Sequence, residues 1–193
     1  MIGLESKIYV QLQPTQKSTA ALISYQKSLN NSSDRSILVA PPALHMTIIH
    51  IGKVSKTVES LRVVTDVKDD IIIRNIEKLV VGLEKAIKPF KHHQYILNPT
   101  EFNHLGRTNN TLVIEYAVTP ELKKLHQECL AVLKNFFKTC GIENVETFMK
   151  NDANFQYALQ LRPHITLAKA HTEELPNILL HTLEAKVMDV LQK

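Results

Sequence analysis

Two short apolar runs, 119 residues apart, carry the same tripeptide and restrict the fold of this 193-residue chain more than any other feature. The first is Leu44-His45-Met46-Thr47-Ile48-Ile49-His50-Ile51-Gly52, and the second is Arg162-Pro163-His164-Ile165-Thr166-Leu167-Ala168. In a β-strand, side chains at i and i+2 share a face and lie about 7 Å apart. Each run therefore presents an imidazole beside a hydroxyl, while Met46 and Ile48, or Ile165 and Leu167, pack behind. By the same parity Arg162 joins His164 and Thr166, whereas His50 falls on the face opposite His45. With nine histidines and fourteen threonines, chance supplies about 0.65 His-x-Thr matches, so the tripeptide alone is weak. Its context carries the weight. Both copies sit in apolar strands, one in each half of the chain, and a fold that uses both brings them together as a pseudo-symmetric pair.

The remaining pattern mixes strands and helices. Lys7–Gln13 alternates at period two and stops at Pro14, which reads as a strand. Residues 16–29 read as a helix ending at Asn30-Asn31. Pro41-Pro42 introduces the first motif strand. Ile72, Ile76, Leu79, Val80, Leu83 and Ile87 repeat at 3.6 residues, so a helix runs from about Asp70 to Lys88 and stops at Pro89. The runs His93–Asn98 and Thr111–Val118 read as a hairpin around Gly106 and Asn109-Asn110. Thr119-Pro120 opens a helix whose apolar stripe includes Cys129 and Cys140, and Gly141 sits at its C-terminal cap. A partly helical stretch from Asn144 leads to the second motif strand. The tail from His171 reads as a short helix and a last strand near Lys186–Leu191. The class is α+β.

Composition excludes several alternatives. Low Gly and Pro content argues against disorder, and two cysteines cannot build a disulfide framework or a four-thiolate zinc site. No run reaches the roughly 18 apolar residues of a membrane span, and the N-terminus lacks a signal-peptide pattern, so a cytoplasmic protein without membrane contact is expected. The formal net charge of +4 mildly favours an anionic partner.

The two motif runs with their flanks resemble the signatures of the 2H (two-histidine) phosphoesterases, most nearly the bacterial 2′-5′ RNA ligase or RNA 2′,3′-cyclic phosphodiesterase branch. The resemblance implies a single bilobal domain over residues 1–193, with two pseudo-symmetric lobes of antiparallel sheet and outer helices around a central cleft. It implies an enzyme, a hydrolase that opens 2′,3′-cyclic phosphate ends of RNA or nucleotides and, in reverse, forms 2′-5′ linkages. His164 is then the general base and His45 the general acid. Thr47, Thr166 and Arg162 bind the phosphate, and no metal or other cofactor is needed. The expected partner is RNA or a nucleotide with a 2′,3′-cyclic phosphate or 2′-5′ linkage, bound by a monomer. Alternatives are a different 2′-linked substrate, such as 2′-5′ oligoadenylate or an ADP-ribose cyclic phosphate, and a non-catalytic RNA-binding module on the same scaffold.

The chemistry fits these residue types. Imidazole serves as acid or base because its ordinary pKa lies near 6.5, and hydroxyls donate to oxygens that gather charge. The other histidines have weaker cases. His92-His93 reads as surface, because strand neighbours point to opposite faces. His104 and Arg107 read as loop residues that could line the cleft mouth. His126 lies off its helix stripe and reads as solvated, and His171 and His181 flank the tail without a partner motif. Lys53 is a candidate phosphate contact.

Overall fold

The computed structural model describes residues 2–29, 36–106, 108–171 and 174–192. The two motif strands are β3 (Met46–Lys53) and β7 (His164–Lys169), and they pair antiparallel through Met46 and Ile165. They sit at the centre of a nine-stranded sheet. The others are β1 (Lys7–Pro14), β2 (Ile37–Leu38), β4 (Gln94–Leu97), β5 (Pro99–Leu105), β6 (Thr111–Tyr116), β8 (Leu183–Val187) and β9 (Leu191–Gln192). The order is β4-β8-β1-β3-β7-β6-β5, with β2 added to β7 and β9 to β1. Every pairing is antiparallel, so the fold is α+β as expected. Both motif strands thus lie in one continuous sheet. β1 and β3 belong to one half and β7 and β6 to the other, joined at the Met46–Ile165 pair.

Five α-helices lie among the described residues: α1 (Gln16–Leu29), α2 (Val54–Val64), α3 (Asp69–Ile87), α4 (Pro120–Thr139) and α5 (Val145–Asn151). The six-residue stripe of α3 is buried throughout, and Asp69 and Asp70 in its first turn complement the helix dipole. Thr119 caps α4 by accepting from the Leu122 amide at 3.3 Å, and Gly141, at φ +85°, turns the chain after it. At Gly82 a Cβ would lie 2.8 Å from Val132 Cγ1, so the glycine allows α3 and α4 to approach closely. Helix α4 packs on β3, and α1 packs on β1, β7 and β8. No helix among the described residues is long and apolar enough to cross a membrane.

Cys129 and Cys140 are buried, as the stripe requires, and burial pushes the Cys129 thiol up to about 12. Several expectations are corrected. The run at 93–98 forms β4 but pairs with β8. The hairpin partner of β6 is β5, a strand that alternation does not reveal because it opens on proline and is largely polar. Helix α2 is a further addition, built on the short buried stripe of Val54, Val58 and Leu61. The described part of the tail contains no helix. His126 is buried rather than solvated, with Nε2 at 2.9 Å from the Ala158 carbonyl. Asn30-Asn31, the expected end of α1, lie outside the described residues.

Candidate active site

The site follows from one register. Met46 opposite Ile165 puts both residues, each fully buried, on the core side of the sheet. One step either way along this antiparallel pair, Thr47 comes opposite His164 and His45 opposite Thr166. All four therefore share the other face, and all are half-buried. His45 and His164 are diagonal neighbours, a relation that spaces their backbone anchors by about 7–8 Å.

The rings are fixed in matching ways. His45 Nδ1 lies 2.7 Å from the Ala43 carbonyl and His164 Nδ1 lies 2.8 Å from the Arg162 carbonyl. A carbonyl only accepts, so Nδ1 carries the proton in both rings, and Nε2 is the basic nitrogen of the neutral form. In each case the carbonyl belongs to the residue two positions earlier. The supports differ. The Ala43 carbonyl ends a 3₁₀ turn, Pro41–Ala43, that precedes the strand. The Arg162 carbonyl belongs to a residue whose guanidinium is held by Glu115, through Nε at 3.0 Å and a second contact from Nη2. Glu115 sits opposite His164 in the β6–β7 register and also accepts from Asn103 at 3.1 Å. Arg162, a predicted phosphate ligand, thus stands beside the site with its charge engaged by a carboxylate.

The polar row extends onto β1, where Gln11 pairs with Thr47 and the Gln13 amide donates to the Leu44 carbonyl at 3.0 Å. The β1–β3 register slips by one residue between Thr47 and Ile49. This β-bulge re-phases the strand, so the pairing of His50 with Tyr9 puts His50 on the same face as Thr47. The parity rule placed it on the opposite face and is corrected here. Partial exposure at Thr47, His50 and Lys53, a period of three, records the irregularity. His50 stacks on Tyr9 with ring centroids 5.0 Å apart and planes 13° apart, and burial, followed by the charge of Lys7, lowers its pKa.

Other candidates lie elsewhere. Lys53 pairs with Glu5 at 2.6 Å. His104 is a β5 residue opposite Leu112, not a loop residue, and its Nε2 meets Nδ1 of the buried His171 at 2.8 Å. His171 therefore has a partner that no motif revealed. Arg107 lies outside the described residues. His92, in a turn, and His93, just after it, are exposed. A cavity of about 820 Å³, lined in part by Val63, Val64 and Phe148, contains none of the motif residues. Among the described residues, no three His, Cys, Asp or Glu side chains are grouped to share a metal ion.

No family model matches the chain, and no curated protein matches it. Solved structures do. TT0787 of Thermus thermophilus aligns with a TM-score of 0.57 at 13% identity, covering 96% of this chain and 97% of its own. LigT of E. coli, in complex with phosphate, aligns with a TM-score of 0.52 at 11% identity, covering 99% of this chain and 98% of its own. The same protein in complex with 3′-AMP aligns with a TM-score of 0.50 at 12% identity, over 96% of this chain and 83% of its own. At these identities the likeness establishes a shared fold across nearly the whole chain.

Proposed function

We propose that the chain is a 2H-type phosphodiesterase that hydrolyses 2′,3′-cyclic phosphate ends of RNA or nucleotides. The observation that carries this reading is the Met46–Ile165 register, which brings two His-x-Thr motifs side by side on one face of the sheet, each with its histidine Nδ1 on the carbonyl two residues earlier. The shared fold supports it, because LigT is a 2′-5′ RNA ligase of the 2H superfamily and has been seen with phosphate and with 3′-AMP. Each half supplies one motif, so the whole chain acts as one catalytic unit.

In the reaction, neutral His164 takes a proton from water through Nε2 as the water oxygen bonds to phosphorus. Protonated His45 gives its Nε2 proton to the ribose oxygen as that oxygen's bond to phosphorus breaks. Thr47 and Thr166 donate hydroxyl hydrogen bonds to the non-bridging oxygens as their charge rises. With the 5′-hydroxyl of a second strand in place of water, His164 takes that hydroxyl's proton as its oxygen bonds to phosphorus and His45 protonates the departing 3′-oxygen, which leaves a 2′-5′ linkage. Arg162, held by Glu115 through Nε and Nη2, keeps its other N–H groups for the phosphate at the edge of the site.

The test is turnover of a small panel, with products identified by mass: 2′,3′-cyclic nucleotides, RNA ending in a cyclic phosphate, 2′-5′ oligoadenylate and ADP-ribose cyclic phosphate. Ring opening that disappears in His45→Ala and in His164→Ala is the expected result. Cleavage of only another 2′-linked substrate would move the assignment within the same chemistry. RNA binding without turnover of any panel member would leave a binding module in its place.

A further inference from the structure

Seven polar residues are buried among the described ones, and six of them make a side-chain hydrogen bond. Gln26, for example, donates to the carbonyls of Val39 and Leu167. The exception is Gln11, 6% exposed, whose carboxamide has no hydrogen-bond partner among the described residues. Burying an amide without a partner is unfavourable and calls for an explanation. Its two polar atoms are nonetheless not sealed in. Among the described residues, the only fully enclosed and unpartnered side-chain atoms are the hydroxyls of Tyr95 and Tyr116. The amide of Gln11 is thus packed on nearly every side and open at its tip.

Its position gives the opening a direction. Gln11 is the cross-strand partner of Thr47 and shares the face of the paired histidines. Such partners root about 5 Å apart. Tyr9, two residues back on the same face, carries the stacked His50 ring. The phosphate position lies between β3 and β7, so Gln11 stands on the other side of β3, where the nucleoside attached to that phosphate can extend.

We propose that Gln11 is a specificity-determining residue that reads a nucleobase edge, donating one hydrogen bond and accepting another. This rests on the phosphodiesterase reading of the site. An oxyanion calls for donors alone and would be opposed by the carboxamide oxygen, whereas a base edge offers a donor and an acceptor side by side. A carboxamide matches adenine at N6 and N7, while guanine presents two acceptors along the same edge. The expected order is adenine before guanine.

The experiment measures equilibrium binding of 3′-AMP, 3′-GMP and base-free ribose 5-phosphate to the wild type and to Gln11→Met, a near-isosteric variant whose fold is checked by circular dichroism. The wild type is expected to prefer 3′-AMP over 3′-GMP by about ten-fold, the size of one net hydrogen bond. In the variant the preference disappears while ribose 5-phosphate affinity stays the same. A variant that keeps the wild-type ratio, or a wild type that does not discriminate, overturns the proposal. Hydrolysis of 2′,3′-cyclic AMP and GMP is followed in parallel. Turnover with a base ratio unmoved by Gln11→Met removes the role of Gln11 and leaves the phosphodiesterase reading standing. Neither turnover nor nucleotide binding by the wild type removes both.

Discussion

The two motif strands hold their histidines in the same way with different surroundings. His45 leans on the carbonyl of an uncharged residue in a proline-started turn, and His164 leans on that of an arginine engaged by a glutamate. The shared part is backbone geometry: a carbonyl two residues before the histidine reaches Nδ1 whatever its side chain. On the β7 side the residue that supplies the carbonyl is itself held, by the ion pair of Arg162 with Glu115. Chemically equivalent imidazoles can thus be given unequal tasks, as an acid and a base must be.

The largest expected effect tests the shared part. His45→Ala and His164→Ala should each lower kcat by about 10²–10⁴-fold on a 2′,3′-cyclic nucleotide, with unchanged circular dichroism. Full activity in either variant would break the pairing. Next, Thr47→Val and Thr166→Val should each cost about 10²-fold in kcat with little change in KM, since their hydroxyls act on developing charge. A loss confined to KM would make them ground-state binding groups. Glu115→Gln probes the difference between the strands. It should lower kcat by about five-fold and shift the ¹⁵N signals of His164 while leaving those of His45 in place. Equal perturbation of both rings would show that the two supports are not independent.

The smallest effect concerns stability. His50, His104 and His126 all have lowered pKa values, first through burial, so the fold prefers them neutral. The stability this preference confers is complete above about pH 6.5, their ordinary value, and is lost as pH falls through their lower folded values. The urea midpoint should fall between pH 7.5 and 5.5, and less steeply in His126→Gln. An unchanged midpoint would contradict the assigned protonation.

Much of this arrangement is readable before folding. The strands β1, β3 and β7, the helices α1, α3 and α4, the buried cysteines and the four motif residues all follow from periods of two and 3.6 and from capping residues. What escapes reading is long-range pairing. The bulge beyond Thr47 exists only because β3 must match β1, and it reverses the parity of His50. His126 lies off the α4 stripe but is covered by the turn at Ala158, 32 residues further on. The engagement of Arg162 with Glu115 spans 47 residues and needs β6 beside β7. Gln11 is the same case: alternation groups it with Tyr9 and Gln13, and only pairing with Thr47 shows that this is the face of the site.

The central claim is that His45 and His164 act on one phosphorus. A crystal structure of the protein with inorganic phosphate bound tests it most directly. The account predicts a single phosphate with Nε2 of each histidine at about 2.7–3.1 Å from different oxygens and the hydroxyls of Thr47 and Thr166 on the remainder. A phosphate held by only one of the two imidazoles, or bound away from both, would contradict it.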